Sequence, residues 1–323
     1  MTKQVLLTGA NGFVGKALGK KLLEERFKVA GAVRSENLFT DLPLGISPVK
    51  VDPIGPHTNW AEALNGVDVV VHLAARVHIM QDAEIDPLAA FRPVNVDGTT
   101  RLASCASKAN VRRFIFLSSV KVNGEESPIP YNEEMEGNPL DPYGQSKWEA
   151  EQALRKIADE TGLEVVILRP PLVYGPGVKA NFLKLLRLVK RGLPLPLSTV
   201  HNRRSMIYLE NLTDAINACI DHPHAANRTF LISDAEDIST PTLIRMLAKA
   251  MGKKSRMLPL PIPLLKTLGK VSGRSAEIQR LVGSLCIDSR QFRSTLGWQP
   301  PFSLEEGLFQ TVNWFMQSET KKE

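Results

Sequence analysis

The sequence has few of the features that mark a secreted or metal-binding protein. Its three cysteines, Cys105, Cys219 and Cys286, lie far apart and form no Cys-x-x-Cys pair, so neither a disulfide framework nor a zinc site is indicated. His222 and His224 have no third ligand near them in sequence, and we expect no metal. No apolar signal core follows the N-terminus. These absences predict a cytoplasmic protein in a reducing compartment.

Long apolar runs and basic runs are also missing. Residues 258–268 are apolar, but three prolines and a lysine interrupt them, and they are shorter than the roughly 20 residues that span a bilayer. We interpret them as a strand and loop, and we expect no membrane insertion. The formal net charge is +6, yet no basic run of five residues occurs. This pattern argues against nucleic acid and suits a small anionic ligand.

The first half of the chain alternates short apolar runs with helical patterns. Runs without period-two alternation, each followed by a helix, predict a parallel sheet covered on both faces. We therefore expect a doubly wound α/β fold. The predicted strands are 4–8, 28–33, 67–74, 113–119 and 164–169, and the predicted helices are 14–25, 94–109 and 145–161.

The pattern changes after residue 171. Residues 181–191 form an amphipathic pattern, which we interpret as a packed helix with a solvated basic side rather than as a membrane-surface helix. Residues 211–220 and 228–233 predict one more helix and strand of the first domain. We expect a dinucleotide-binding domain at 1–175 and 208–234, and a smaller, discontinuous α/β substrate domain at 176–207 and 235–323.

A glycine-rich turn follows the first predicted strand and opens the first helix. Glycines at such a turn let backbone N–H groups approach a pyrophosphate, and the helix N-terminus favours the anion. The spacing is Gly-x-x-Gly-x-x-Gly rather than the commoner Gly-x-Gly-x-x-Gly, but its position predicts dinucleotide binding. The candidate cofactor residues here are Gly9, Asn11, Gly12, Phe13, Val14 and Gly15.

The end of the second strand bears on the choice of cofactor. An acid there would bind the ribose of NAD, whereas an arginine accommodates the additional phosphate of NADP. The chain has Arg34 at this corner, so we favour NADP(H) over NAD(H); the alternative is an exposed cation that ends a strand. Asp52 follows the third strand and either bonds the adenine amine or caps a turn.

Ser119, Tyr143 and Lys147 form a candidate catalytic set. Tyr143 and Lys147 are four residues apart, which places them on one face of a helix, where an ammonium would favour the ionised phenol. Ser119 ends a strand and could hold a substrate oxygen. Such a trio catalyses oxidation and reduction at an alcohol or ketone. The spacing Tyr-x-x-x-Lys alone is weak evidence for a catalytic pair, and the other motifs strengthen that interpretation.

Together, these motifs resemble the extended short-chain dehydrogenase/reductases, in their nucleotide-sugar epimerase and dehydratase branch, over nearly the whole chain. The resemblance implies a Rossmann sheet, a UDP-sugar substrate and an assembly that is usually a homodimer. The motifs that carry it are the glycine loop at 9–15, His72-Leu73-Ala74-Ala75, Asn95 within 94–99, the segment 118–124, Tyr143-Gly144-Gln145-Ser146-Lys147 and the segment 168–177.

The resemblance also implies roles for single residues. Ser119 and Tyr143 would be the catalytic pair, with Lys147 on the nicotinamide ribose. The further cofactor contacts would be Leu73, Ala74, Ala75, Asn95, Ser118, Pro170 and Val173. The substrate contacts would be Ser119, Lys121, Asn181 and Arg204, where Arg204 alternatively makes a surface ion pair. Either Arg280 or Arg290 could contact the nucleotide. We interpret Trp298 as a packed anchor between the last helices.

Two departures from the epimerase pattern affect the functional hypothesis. Arg34 replaces the usual acid, and Val122-Asn123-Gly124 replaces Val-Tyr-Gly. The acid–base triplet of the dehydratases is absent, which disfavours dehydration. The leading hypothesis is a reductase of a UDP-linked 4-keto sugar in surface-polysaccharide synthesis. The alternatives are a UDP-hexose 4-epimerase with retained NAD and a non-catalytic nucleotide sensor on the same fold.

Overall fold

A parallel sheet forms the centre of the computed structural model, which describes residues 2–77 and 86–320. Its seven strands run in the order β3-β2-β1-β4-β5-β6-β9, and a separate parallel pair joins β7 to β8. This is the predicted doubly wound α/β fold. The strands are β1 (Gln4–Thr8), β2 (Lys28–Val33), β3 (Ser47–Lys50), β4 (Val69–His72), β5 (Arg113–Leu117), β6 (Glu164–Arg169), β7 (Leu172–Tyr174), β8 (Met206–Tyr208) and β9 (Arg228–Leu231).

Helices connect the strands and form most of the C-terminal part. They are α1 (Phe13–Glu24), α2 (Pro87–Arg92), α3 (Thr99–Lys108), α4 (Pro142–Thr161), α5 (Ala180–Lys190), α6 (Leu209–Asp221), α7 (Thr240–Ala250), α8 (Ile262–Val271), α9 (Ser275–Val282), α10 (Arg290–Leu296) and α11 (Leu304–Thr320). The predicted helix at 94–109 is wrong in detail, because a π-helical turn at Pro93–Gly98 lies between α2 and α3.

The sheet is buried on both faces, as its apolar runs require. Val5 and Leu7 of β1 belong to one core cluster, whereas Leu6 between them belongs to the cluster on the opposite face. All three side chains are fully buried. Successive strand residues point to opposite faces, so a strand covered on both sides needs an uninterrupted apolar run.

A third core cluster lies under α5, α7, α11 and the β7–β8 pair. The last short helix instead packs on the main sheet: Phe292 of α10 lies 5.2 Å from the Phe230 ring and 5.1 Å from the Trp298 ring. The Trp298 Nε1 donates to Asp214 of α6 at 2.8 Å. Residues 290–298, which fall in the predicted 235–323 segment, therefore contribute to the core of the dinucleotide-binding sheet.

The interpretation of residues 258–268 as strand and loop is wrong. Helix α8 begins at Ile262, and only an isolated bridge between Leu195 and Met257 precedes it. Pro261 and Pro263 flank the first helical position, where a missing N–H breaks no intrahelical bond, so these prolines start the helix. Among the described residues, no helix is both long and apolar enough to cross a membrane.

Candidate active site

The glycine loop is folded so tightly that side chains would not fit. Gly9 has φ +67°, and a Cβ there would lie 2.9 Å from the Ala74 backbone nitrogen. A Cβ on Gly15 would lie 2.1 Å from the Gly9 carbonyl oxygen. The N-cap of α1 is Gly12, and no side chain caps the N–H groups of the first turn. This cradle fits the pyrophosphate of a dinucleotide, since uncapped N–H groups at a helix start favour an anion.

A buried histidine joins the strand ends beneath the loop. The Nδ1 of His72 shares a 2.7 Å hydrogen bond with the Thr8 hydroxyl, and its Nε2 lies 3.0 Å from the Thr99 hydroxyl. The Ala74 backbone N–H donates to the same Thr8 oxygen at 3.2 Å. Burial, with a smaller contribution from the Lys147 charge, lowers the pKa of His72 to about 3. The ring is therefore neutral and holds the segment that faces Gly9.

Ser119 lies beside the start of helix α4. It caps the 3₁₀ turn Val120–Val122, where its hydroxyl accepts from the Lys121 backbone N–H at 3.2 Å. A Cβ on Gly144 would lie 2.7 Å from the Lys121 carbonyl oxygen, so the first turn of α4 packs directly on this 3₁₀ turn. Asp141 caps α4 by accepting from the Gly144 backbone N–H at 2.6 Å. This packing brings the Ser119 turn and the Tyr143 turn together.

Tyr143 and Lys147 are placed as predicted, but their electrostatics differ from the prediction. Burial, followed by the charge of Asp141, raises the pKa of Tyr143 to about 12. Burial also lowers the pKa of Lys147 to about 7, and its Nζ lies 4.0 Å from the centroid of the Phe116 ring. The prediction that the Lys147 ammonium lowers the phenol pKa is therefore wrong for the protein alone. Desolvation disfavours the charged form of each of the two groups.

The side chain of Ser118 belongs to an internal network, and its predicted contact with a cofactor stays a prediction. Its hydroxyl donates to the Glu151 carboxylate at 2.5 Å, and its backbone N–H donates to Leu168. Arg169 donates to both Glu151 oxygens, at 3.0 and 2.6 Å, and to Asn123 at 3.1 Å. Sequence reasoning missed Glu151, although it lies four residues after Lys147 and hence on the same helix face.

Asn95 also supports the site indirectly. Its carbonyl oxygen accepts from the Arg76 backbone N–H at 2.8 Å, and its amide donates to the Arg76 carbonyl and the Ser146 hydroxyl. Both amide protons are used, so the Asn95 side chain supports the segment after β4, and its contact with a cofactor stays a prediction. The π-helical turn positions Asn95 for these bonds, as π turns often do at functional sites.

The residues predicted to bind the adenosine end are exposed. Arg34 directly follows β2, and Asp52 lies two residues after β3. Nearby, Glu36 and Lys50 form an exposed ion pair at 2.9 Å. Across the described part of the chain, the Arg34 guanidinium makes no ion pair, so it offers a cation where the ribose of a dinucleotide would end.

The remaining cofactor candidates line the strand ends. Leu73, Ala74 and Ala75 follow β4 and are half-buried. The Pro170 carbonyl accepts from the Val120 backbone N–H at 3.0 Å, which fixes the segment after β6 against the Ser119 turn. Val173 lies in β7, paired with Ile207 of β8. These positions agree with a pocket wall, and their contact with a nicotinamide stays a prediction.

Two of the predicted substrate contacts have protein partners. The Lys121 ammonium pairs with Asp141 and, at 3.1 Å, with Glu125. Arg204 makes no ion pair within the described residues: its guanidinium donates to the carbonyls of Arg280 and Gly283, at 2.9 and 3.1 Å. Its contact with a sugar diphosphate stays a prediction. Asn181 is exposed in the first turn of α5.

Among the nucleotide candidates, the Arg290 side chain pairs with Asp288 at 2.6 Å. The His222 and His224 rings lie 5.5 Å apart. Within residues 2–77 and 86–320, no group of three histidine, cysteine or acidic side chains could hold a metal ion.

The glycine cradle, the Ser119 turn and Tyr143 with Lys147 on a doubly wound sheet define a short-chain dehydrogenase/reductase. The family model described as the NAD dependent epimerase/dehydratase family matches residues 5–233. The chain therefore belongs to that family and is an enzyme of nucleotide-sugar chemistry.

Comparison with single proteins gives similarity over the full length. A UDP-glucose 4-epimerase of Vibrio cholerae is 46% identical over 99% of this chain and 98% of its own. A 4-epimerase of N-acetyl-alpha-D-glucosaminyl-diphospho-ditrans,octacis-undecaprenol from Escherichia coli O157:H7 is 27% identical over 97% and 96% of the two chains. The crystal structure of a Bacillus cereus UDP-glucuronic acid 4-epimerase in complex with NAD has the same fold, with TM-score 0.78, 22% identity and coverage of 98% and 99%.

Proposed function

We propose that this enzyme is a UDP-hexose 4-epimerase that retains NAD. The observation that carries the proposal is the packing of the Ser119 turn against the first turn of α4, which bears Tyr143 and Lys147. The full-length similarity to a UDP-glucose 4-epimerase supports epimerisation over the leading hypothesis from sequence, reduction of a 4-keto sugar. It outweighs the two sequence departures at Arg34 and Asn123.

The bound nicotinamide would supply the acceptor and donor of the C4 hydride. Tyr143 would take the proton of the C4 hydroxyl as the hydride leaves and return it after the keto sugar has turned its other face. Ser119 would hold the C4 oxygen. A neutral Tyr143 hydroxyl suits the proton-returning half, whereas the proton-accepting half needs the phenolate. Lys147, once its ammonium is solvated by a bound ribose, would supply the charge that favours this phenolate.

A 4-ketoreductase that uses NADPH is the second candidate, and a specific observation favours it. The exposed Arg34 guanidinium directly follows β2 and has no ion-pair partner in the described chain, which supports a contact with the 2′-phosphate of NADP. A reductase releases its oxidised cofactor after each turnover, whereas an epimerase recovers it. The preference for NADP(H) belongs to this candidate.

One assay separates the two candidates. Purified protein is incubated with UDP-glucose, and then with a UDP-4-keto sugar and NADPH. Interconversion of UDP-glucose and UDP-galactose without net loss of added cofactor supports the epimerase. Stoichiometric oxidation of NADPH without interconversion would overturn it and support the reductase. Absence of both reactions would contradict both candidates, because the enzyme would then not act at C4 of these UDP-sugars.

The variant Tyr143→Phe tests the acid–base assignment in the same assay. Loss of positioned proton transfer should lower kcat by about 10² or more, with dinucleotide binding retained. The control Tyr131→Phe removes a hydroxyl that donates to the Glu126 carbonyl, and it should keep kcat within about twofold of the parent. A Tyr143→Phe enzyme within about tenfold of the parent would contradict the role of the phenol.

We also propose that the enzyme works in the cytoplasm, because Cys105, Cys219 and Cys286 are all unpaired thiols. A homodimer, usual in the family that the sequence resembles, stays a proposal. Light scattering of the purified enzyme tests it, and a monomer mass across the micromolar range would contradict it.

A further inference from the structure

Helix α8 carries an exposed apolar stripe. Leu264, Leu268 and Val271 are 47%, 52% and 83% exposed, and their spacing of four and three residues places them on one face. Leu265 and Gly269 form the docked side, where a Cβ on Gly269 would lie 2.8 Å from Ile278 of α9. The helix is therefore held by one side while a second, apolar side faces outward. Contiguous exposed apolar surface of this kind marks an interaction site.

The stripe lies within an unusually cationic segment. Between Asp237 and Glu277 the sequence has no acidic residue and eight lysines and arginines, more than the whole formal net charge of +6. Lys254 and Arg256 precede α8 and Arg274 follows it, and none of their side chains makes an ion pair within the described chain. Lys266 and Lys270 project from α8 roughly half a turn around the helix axis from the stripe, so the stripe itself is uncharged.

We propose that this surface, defined by the apolar stripe of α8 and the cationic segment 238–276, docks the enzyme peripherally on an anionic lipid bilayer. Apolar side chains on one side of a helix, combined with lysines and arginines around it, bind the boundary between lipid headgroups and acyl chains. The long cationic side chains reach the headgroup phosphates while the stripe enters the acyl boundary.

The charge distribution argues against a second copy of the chain as the occupant. In a symmetric dimer the same patch meets itself, which would bring two acid-free cationic segments together. Such a contact would be repulsive, because the segment contains no acid and, among the described residues, Lys249 is the one of its eight cations that forms an ion pair, with Glu305. An anionic bilayer supplies both the opposite charge and the apolar phase. This proposal is separate from the proposed function.

Co-sedimentation of the full chain with vesicles tests the proposal. Vesicles of phosphatidylcholine with phosphatidylglycerol, in a 3:1 ratio, should bind the enzyme at least about tenfold more tightly than phosphatidylcholine alone, and less tightly as salt is raised. Equal binding to both compositions, or no binding to either, would overturn the proposal.

Matched variants locate the surface. The double variant Leu268→Glu with Val271→Glu should weaken binding to the anionic vesicles about tenfold or more. The control Leu44→Glu with Phe309→Glu adds the same charge at exposed apolar positions outside α8 and should bind more tightly than the stripe variant by at least about fivefold. Equal losses in the two double variants would overturn the assignment to α8.

The cations are tested separately. Lys254→Gln with Arg274→Gln should weaken binding and flatten its salt dependence more than Lys20→Gln with Lys28→Gln, a control pair on α1 and β2. Sugar-nucleotide turnover should be unchanged in all four double variants, that is, the two of this paragraph and the two of the preceding one. This result separates a docking defect from a folding or catalytic defect. A dimer that dissociates in the stripe variant, without vesicle binding by the parent, would overturn the proposal in favour of self-association.

Discussion

Desolvation changes the pKa values of single side chains in the site more than the charges of their neighbours do. Lys147 is buried over Phe116, and the Glu151 carboxylate raises its pKa by less than burial lowers it. An unfolded lysine has a pKa of 10.5 and holds its proton up to that pH, whereas burial lowers the pKa of folded Lys147 to about 7. Protonated Lys147 therefore destabilises the cofactor-free protein.

The first prediction follows from the sign of this shift. Between pH 7 and 10.5 the unfolded chain binds more protons than the folded chain at Lys147, so its contribution to stability rises with pH. We expect the free energy of unfolding of the parent to rise relative to Lys147→Met by up to about 1.4 kcal/mol per pH unit. Urea unfolding without cofactor at pH 7.5 and 9.5 measures it, with the exposed Lys156→Met as control. Parallel changes in the parent and Lys147→Met would contradict the shift.

Arg34 carries the second prediction at this scale. Replacing it by aspartate should reverse the local charge and weaken NADPH relative to NADH by at least about tenfold. Fluorescence titration of both cofactors gives the ratio of dissociation constants. Lys28→Asp, at the other end of β2, makes the same charge change and should leave the ratio unaltered. Unchanged constants for both cofactors in Arg34→Asp would place Arg34 outside the site.

At the scale of elements, a buried ion pair fixes the catalytic helix to the sheet. Glu151 of α4 is fully buried and pairs with Arg169 at the end of β6 and with Ser118 at the end of β5. The Arg169 guanidinium also lies 5.6 Å from the Trp148 ring of the same helix. The pair thereby ties together the strand that leads to Ser119 and the helix that bears Tyr143.

Breaking this pair should be costly. Glu151→Gln leaves Arg169 buried without its counter-charge, so we expect the free energy of unfolding to fall by about 3–5 kcal/mol. Glu160→Gln on the same helix removes only an exposed contact with Lys156 at 3.8 Å and should change stability by about 0.5 kcal/mol or less. Urea denaturation compares the two. Similar stabilities for both variants would show that the buried pair does not hold α4.

The elements also show where sequence reasoning succeeds. The glycine loop and the Tyr143–Lys147 spacing were predictable, because adjacent residues impose both. The Glu151–Arg169 pair joins positions that only tertiary folding brings together. The strand-and-loop prediction for residues 258–268 was wrong because proline occurs both where regular structure breaks and in the first turn of a helix.

At the scale of the whole molecule, one buried carboxylate, acting through Asn211, connects the main sheet to the C-terminal segment. Asp234 follows β9 of the main sheet and accepts from the Tyr174 hydroxyl at 2.8 Å, the Tyr208 backbone N–H and the Asn211 amide. Asn211 also bonds the Phe302 backbone in both directions, just before α11. The main sheet and the β7–β8 pair thus meet at the Asp234 carboxylate, and Asn211 extends this network to the segment before α11.

Asp234→Ala should therefore affect cooperativity as well as stability. It removes an acceptor shared by three buried donors, of which the Tyr174 hydroxyl keeps only a longer contact with the Leu304 carbonyl at 3.5 Å. An unsatisfied buried donor costs about 1–3 kcal/mol, so we expect a loss of about 3 kcal/mol or more. Because Asn211, one of these donors, also holds the backbone of Phe302 in the C-terminal segment, tryptophan fluorescence and circular dichroism should follow one urea transition in the parent and separate transitions in the variant. Asp221→Ala removes only exposed ion pairs with Lys3 and Arg112 and should keep the transitions coincident. A single, equally stable transition in Asp234→Ala would mean that apolar packing alone couples the two parts.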